Sequence, residues 1–305
     1  MLEITDIVKQ YAKHTALDHV SFSIQKGSIF GLLGPNGAGK TSLIRIINQI
    51  TAPDQGTILF NGEPLNASHI SKIGYLPEER GLYKKMLIGD QMLYLAQLKG
   101  LSKKEATNRI KHWFEKMDMQ SWWEKKVEDL SKGMQQKVQF VATVIHQPDL
   151  IILDEPFSGF DPVNVDIIKN EIINLNKNGA TIIFSTHRME SVEELCDTIV
   201  LLNKSKKILD GKVSDVKNAY RNNRFQIKYS SPTATPLREP ENHDAFQIIQ
   251  NQQVGTEYNS IVEVTDGHSI NDVLSYFITQ VEVHELKEII PSIHDIFVQK
   301  VKETH

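Results

Sequence analysis

Gly34-Pro35-Asn36-Gly37-Ala38-Gly39-Lys40-Thr41 fits the pattern G-x-x-x-x-G-K-[ST], a loop that wraps phosphate. Its flanks suit that reading. Ile29-Phe30-Gly31-Leu32-Leu33 is a short apolar run of the kind a buried strand gives. Past Ser42, Leu43, Ile44, Ile46, Ile47 and Ile50 follow the spacing of one helix face. Strand, glycine loop and helix start together place backbone N–H groups against negative charge. Within the loop the glycines let the backbone approach phosphates. Lys40 is suited to reach the β/γ-phosphates and the Thr41 hydroxyl to hold Mg²⁺. The stretch therefore implies a nucleoside-triphosphate site.

Working outward, 305 residues are enough for two domains with a sizeable core. A hydrophobic fraction of 40% and a charged fraction of 24% describe an ordinary globular composition. The formal net charge of −4 argues against general nucleic-acid binding. No stretch has the apolar length to span a bilayer, and Met1-Leu2-Glu3-Ile4-Thr5-Asp6 lacks the basic-then-apolar order of a signal peptide. Cys196 is the one cysteine, so no internal disulfide forms and the cytosol is the expected compartment. It reads as a small buried hydrophobe.

Along the chain the opening segment reads as β, with Val20, Phe22 and Ile24 alternating, and a second strand at Thr57-Ile58-Leu59-Phe60. Residues 87–147 change character. Leucine, methionine and tryptophan among many lysines and glutamates imply a block of amphipathic helices, with Trp113, Trp122 and Trp123 as core fillers. Continuous apolar runs then return at Leu150-Ile151-Ile152-Leu153, Thr181-Ile182-Ile183-Phe184 and Thr198-Ile199-Val200-Leu201-Leu202. A helical pattern from Val165 to Leu175 separates the first two, closed by Asn178-Gly179. Non-alternating strands separated by helices imply an α/β, mostly parallel sheet covered on both faces. Lys212 to Arg224 is polar and reads as helical or as a linker, with the linker placed at 216–224 and a small α+β domain after it, 225–305. Its strands are read at Phe225–Tyr229, Ile261–Val264 and Val281–Leu286. Residues 230–260 are read as loop-like. One helix carries Ile270, Val273, Leu274, Phe277 and Ile278, with Ser269 placed to cap it, and a last helix opens at Ser292-Ile293-His294-Asp295.

Asp154 and Glu155 end a buried strand, where an aspartate can hold Mg²⁺ and the next carboxylate can polarise a water. With these residues in place, the ordered set resembles the ATP-binding subunit of ABC transporters over about residues 2–215. Leu130-Ser131-Lys132-Gly133-Met134-Gln135-Gln136-Lys137 resembles the family signature, Ser158-Gly159-Phe160-Asp161 its D-loop, and His187 its switch histidine. The resemblance implies a phosphate-loop core with a mostly parallel sheet, an antiparallel β subdomain and an inserted helical subdomain. It implies ATP and Mg²⁺ as ligands, with Tyr11 stacking on adenine. It also implies a composite site. Lys40, Thr41, Asp154, Glu155 and His187 of one chain would close on Ser131, Lys132, Gly133 and Met134 of a second, most simply an identical copy. Glu155 and His187 take the catalytic roles, and Asp161 the D-loop contact.

Departures narrow the branch. Glu78, in Tyr75-Leu76-Pro77-Glu78-Glu79-Arg80, stands where the family usually has glutamine. It could serve as an oxygen ligand to Mg²⁺, but it adds negative charge near the phosphates. That string, the lysine in the signature and the tail Pro291-Ser292-Ile293-His294-Asp295-Ile296-Phe297 resemble the bacterial sodium-exporter and multidrug-exporter type, which carries a small accessory domain. The implied function is ATP hydrolysis powering a separate membrane permease, in export of Na⁺ or a drug-like substrate, at the inner face of the cell membrane. The competing reading is a non-transport ATPase of the same family, acting on ribosomes or DNA. One cassette and no long heptad run weigh against it.

Overall fold

The computed structural model describes residues 1–79, 81–233, 235–237 and 244–303. Arg80, and residues 234 and 238–243 of the stretch read as loop, lie outside the described residues. The chain divides into two compact units, Met1–Val213 and Ser214–Glu303.

The first unit opens with strands β1 (Leu2–Tyr11) and β2 (His14–Ile24), followed by β3 (Ile29–Leu33) and helix α1 (Lys40–Ile47). Next come β4 (Gln55–Phe60), β5 (Glu63–Pro64) and β6 (Ile73–Leu76), then α2 (Ile88–Leu98), α3 (Lys103–Lys116) and α4 (Lys132–Val144). The unit is completed by β7 (Leu150–Asp154), α5 (Pro162–Lys177), β8 (Thr181–Ser185), α6 (Met189–Leu195), β9 (Thr198–Asn203) and β10 (Lys206–Lys212). Six strands form one sheet in the order β10-β9-β3-β8-β7-β6. All its pairings are parallel except β10 with β9. Every residue of β3, β7 and β8 is buried, as expected for strands covered on both faces. A separate antiparallel sheet, β2-β1-β4-β5, packs Leu2, Ile4, Val20, Ile58 and Phe60 into one core with Leu43, Ile44 and Ile47 of α1.

Parallel neighbours end at the same edge of a sheet, and that edge is where ligand crevices form. β3 stands between β9 and β8, so the glycine loop leaves the sheet beside the ends of β8 and β7. Asp154 pairs directly with Ser185 across the β7–β8 ladder. Topology therefore converts three segments far apart in sequence into one cluster.

Two details differ from the sequence reading in this unit. α1 ends at Ile47, and Ile50, read as part of its buried face, is 62% exposed. The helical block from α2 to α4 matches the expected segment. Trp113 and Trp122 are buried, and Trp123 packs edge-on against Phe114.

At the start of the second unit, the stretch from Lys212 to Arg224, read as helical or a linker, holds the helix α7 (Val213–Ala219). β11 (Arg224–Ser230), β12 (Phe246–Val254), β13 (Glu257–Val264) and β14 (Glu282–Ile289) form an antiparallel sheet in the order β12-β13-β11-β14. Helices α8 (Ile270–Gln280) and α9 (Ile293–Glu303) complete the unit. β12 corrects the loop reading of 230–260. Its sequence, FQIIQNQQV, lacks alternation because a bulge between Ile248 and Gln250 breaks the period and most of its residues face solvent at the sheet's edge. Val273 and Phe277 of α8 are buried as expected, whereas Ile278 is exposed. Ser269 and Asp272 bond at the start of α8, and Ser292 with Asp295 at the start of α9.

Candidate active site

Gly39 sets the geometry of the loop. Its φ is +109°, and a Cβ there would lie 2.3 Å from the Ala16 carbonyl oxygen, so only glycine fits between α1 and β2. α1 starts at Lys40 immediately after it. The Lys40 ammonium donates to the carbonyls of Gly34 and Pro35 at 2.6 and 3.2 Å. Burial lowers its pKa, while Asp154, Glu155 and Glu78 raise it, so the ammonium sits in a field of three carboxylates.

A cavity of about 390 Å³ brings the sequence-read residues together. Tyr11, the loop from Asn36 to Ser42, Glu78, Asp154, Glu155 and His187 all line it. That volume falls within the usual range for small-molecule sites. Gly34 and Pro35 instead form the back of the loop, seen as acceptors for Lys40. Tyr11 is 40% exposed at the mouth, with the Lys9 ammonium over its ring at 5.4 Å from the centroid. His14 and Ala16 also line the cavity and were not singled out from sequence. They precede and follow no motif, and only the β1–β2 turn brings them there.

The acidic pair divides its environment. Asp154 is buried and accepts from Ser185 Oγ at 2.8 Å. Burial, reinforced by Glu78 and Glu155, pushes its pKa up, against the hydrogen bond from Ser185 and the charge of Lys40. Glu155 occupies the left-handed region at φ +49°, a conformation that non-glycine residues adopt at a cost. Its Oε1 accepts from the His187 backbone N–H at 2.8 Å and lies 2.7 Å from His187 Nδ1. Its Oε2 accepts from Thr186 Oγ1 at 3.0 Å. Ser185 and Thr186 thus fix the two carboxylates from the end of β8, a role no motif announced although both residues flank the histidine.

No three His, Cys, Asp or Glu side chains converge closely enough to hold a metal by themselves among the described residues. The Thr41 hydroxyl and the Asp154 carboxylate offer oxygen donors at the cavity, which suits a hard cation that takes its remaining ligands from phosphate and water. Asp154 also gives a test. Its raised pKa means the folded state holds this proton more tightly than the unfolded chain. The buried carboxylate therefore costs stability at neutral pH, and the cost disappears as pH falls through the folded pKa. Asp154→Asn is expected to raise the nucleotide-free Tm by about 2–4 °C at pH 7, the shift that ~1 kcal/mol gives a chain of this size. The gap to wild type should narrow at pH 5, as read by thermal denaturation at both values. An equal gap at the two pH values would count against a buried, charged Asp154.

Elsewhere, Ser131 caps α4 and its Oγ accepts from the Met134 N–H at 3.3 Å. None of Ser131, Lys132, Gly133 and Met134 lines the cavity. A Cβ on Gly133 would sit 3.3 Å from the Gly159 carbonyl oxygen, so the signature and D-loop segments touch within one chain. Asp161 caps α5 through the Asn164 N–H at 3.1 Å, and hydrogen bonds from Asn164 lower its pKa. Cys196 is buried, and burial pushes its thiol pKa up, which leaves it an inert filler.

Residues 17–158 match the ABC transporter family model, and residues 211–301 match that of the C-terminal domain of DrrA1-3-like ATP-binding proteins. The ABC transporter ATP-binding protein YhaQ of Bacillus subtilis (strain 168) is 41% identical over 99% of this chain and 98% of its own length. The linearmycin resistance ATP-binding protein LnrL of the same organism is 35% identical over 71% of this chain and 70% of its own length. Among solved structures, an ATP-binding subunit of an ABC transporter superposes with a TM-score of 0.67 at 30% identity, over 72% of this chain and 93% of that one. Subunits of this kind work with membrane permease components and commonly pair. The loop, the carboxylates at its side and these relatives lead to one assignment: the chain belongs to the ABC transporter family and is one of its ATP-binding, ATP-hydrolysing subunits.

Proposed function

We propose that this subunit works as half of a composite ATPase, paired with a second copy of itself, and drives export through a permease on another chain. The observation that carries this reading is the division of the phosphate-binding groups. Lys40, Thr41, Asp154, Glu155 and His187 line one cavity, whereas the α4 start at Ser131–Gly133 stands apart from it and is free to meet another chain's nucleotide. A helix N-terminus binds phosphate through its N–H groups, so the two half-sites complement one another across a two-fold axis. In the assembled site Lys40 neutralises phosphate, Tyr11 stacks on adenine, and Thr41 and Asp154 hold Mg²⁺. Glu155 accepts the proton of the attacking water, and His187 orients it. Asp161 meets the partner's loop. ATP then favours the closed pair, and its hydrolysis releases it, a population shift that a bound permease converts into motion.

The permease contact falls on a second cavity of about 320 Å³ lined by Ile50, Tyr75, Leu95, Leu98, Gln139 and His146, among others. Ile50 and Leu98 are exposed there, and burial holds His146 neutral by lowering its pKa to about 4. A mostly apolar groove, with Lys99 at its lining held by the Ile70 and Ile73 carbonyls, suits a short helix from the permease. No helix among the described residues is long and apolar enough to cross a membrane. On this reading the membrane-spanning part of the assembly is supplied by other chains and the subunit works at the inner face. Export of a drug-like substrate is favoured by the similarity to a linearmycin resistance protein. Na⁺ is the second candidate substrate, on the sequence resemblance alone. Affinity purification from gently solubilised membranes tests the assembly. The expected co-purifying species is one integral membrane protein in equimolar amount. Ribosomal proteins or DNA in its place would overturn the reading.

A further inference from the structure

One face of α4 lies against the segment that carries Glu78. Gly74 makes the approach possible: a Cβ there would stand 2.4 Å from the Thr143 carbonyl oxygen. Beyond Gly74 the strand runs to Leu76 and the chain bends at Glu78 and Glu79, which leaves several of its carbonyls turned toward α4. α4 meets three of them. Thr143 Oγ1 donates to the Gln139 carbonyl at 2.9 Å and lies 3.4 Å from the Tyr75 carbonyl, and Gln139 Nε2 is shared between the carbonyls of Pro77 and Glu79 at 3.4 and 3.3 Å. Gln139 and Thr143 are one helical turn apart, so they form a single rail. Glu78 lies between the two carbonyls that Gln139 holds.

The chemistry at 139 is unusual for a packing position. Gln139 is 5% exposed, and its Oε1 is buried without a hydrogen-bond partner. A leucine or methionine would fill similar volume without burying an unpaired acceptor, so stability alone does not account for an amide here. The amide has one other consequence. It ties the backbone on both sides of Glu78 to the same helix that begins at Ser131, and it borders the groove that also exposes Ile50 and Leu98.

We propose that Gln139 is a positioning residue for ATP hydrolysis, acting through Glu78: its amide fixes the Pro77–Glu79 backbone so that the Glu78 carboxylate stands at the nucleotide cavity. The inference rests on the reading that ATP fills that cavity. The test is a double-mutant cycle in the full-length chain, with ATP turnover, KM and Tm measured for wild type, Gln139→Met, Glu78→Ala and the double variant. Gln139→Met is expected to lower kcat about tenfold with KM within about twofold and Tm unchanged, and the double variant to be no slower than Glu78→Ala by more than about twofold. Gln139→Glu, which keeps length but cannot donate to carbonyls, should match Gln139→Met. Losses that multiply in the double variant, or a kcat untouched in both Gln139 variants, would overturn the proposal. Absence of ATP binding by the wild type would instead overturn the reading of the cavity.

Discussion

Glu155→Gln is expected to lower kcat by about 10²–10³ while leaving ATP binding intact, so that an ATP-bound pair accumulates. The magnitude is that of losing a positioned general base. The amide keeps the shape of the carboxylate, and its oxygen still accepts from the His187 N–H that Glu155 Oε1 now receives at 2.8 Å. What it loses is basicity. Asp154, Thr41 and Lys40 are untouched, so the groups that hold the phosphates remain. The hydrogen bonds around Glu155 also say how the site is held. His187 rests on Glu155, yet its side chain is 66% exposed while that of Glu155 is 12% exposed. The histidine can swing toward a phosphate without disturbing the carboxylate, which stays anchored by Thr186 and by the backbone. Stopped-flow phosphate release together with size-exclusion chromatography in ATP checks the expectation. Turnover near the wild-type rate would remove Glu155 from the chemistry. Slow turnover without a larger species would leave the chemistry intact and contradict pairing.

How much of this was legible in the chain follows from how local each feature is. Strand β3, the start of α1 at Lys40 and the apolar β7 ending in Asp154 depend on neighbours within a few residues, and the sequence reading and the structure agree on them. The bulged edge strand β12 did not show itself, because a strand whose residues mostly face solvent has no need of apolar alternation, and its glutamines read as loop. Ile50 looked like a continuation of α1 because its spacing fits. Only the helix end at Ile47 turns it outward into the groove. Gln139 is the extreme case. Nothing in KGMQQKVQFVATV marks one glutamine among three, and its meaning comes from Gly74, 65 positions earlier, letting the helix settle onto β6. The signature motif was visible as a motif, but that it stands away from its own chain's cavity is a fact of topology.

Lys40→Met carries the largest expected effect on binding. The lysine is buried, and its ammonium is held by two loop carbonyls beside three carboxylates. A bound triphosphate meets a cavity that is otherwise lined by Glu78, Asp154 and Glu155, so without Lys40 the phosphates face net repulsion apart from the loop N–H groups and the metal. Truncating one partner of a buried charge pair costs about 2–5 kcal/mol, and the lower half of that range already weakens Kd by about 100-fold. Linkage makes this measurable without turnover. At an ATP concentration 100 times the wild-type Kd, binding adds about 2.7 kcal/mol to wild-type stability. A variant that binds 100-fold more weakly gains only about 0.4 kcal/mol. The wild type should therefore show an ATP-induced Tm rise of about 5 °C or more, and the variant almost none, with the nucleotide-free Tm values close together. Lys40→Arg separates charge from shape. The guanidinium keeps the charge, but its fork is too long to fold back onto Gly34 and Pro35, so it too should lose most of the ATP-induced shift. If the arginine variant binds like wild type, charge alone suffices and the carbonyl contacts are incidental. If the methionine variant keeps the full shift, the loop's N–H groups hold the phosphates by themselves.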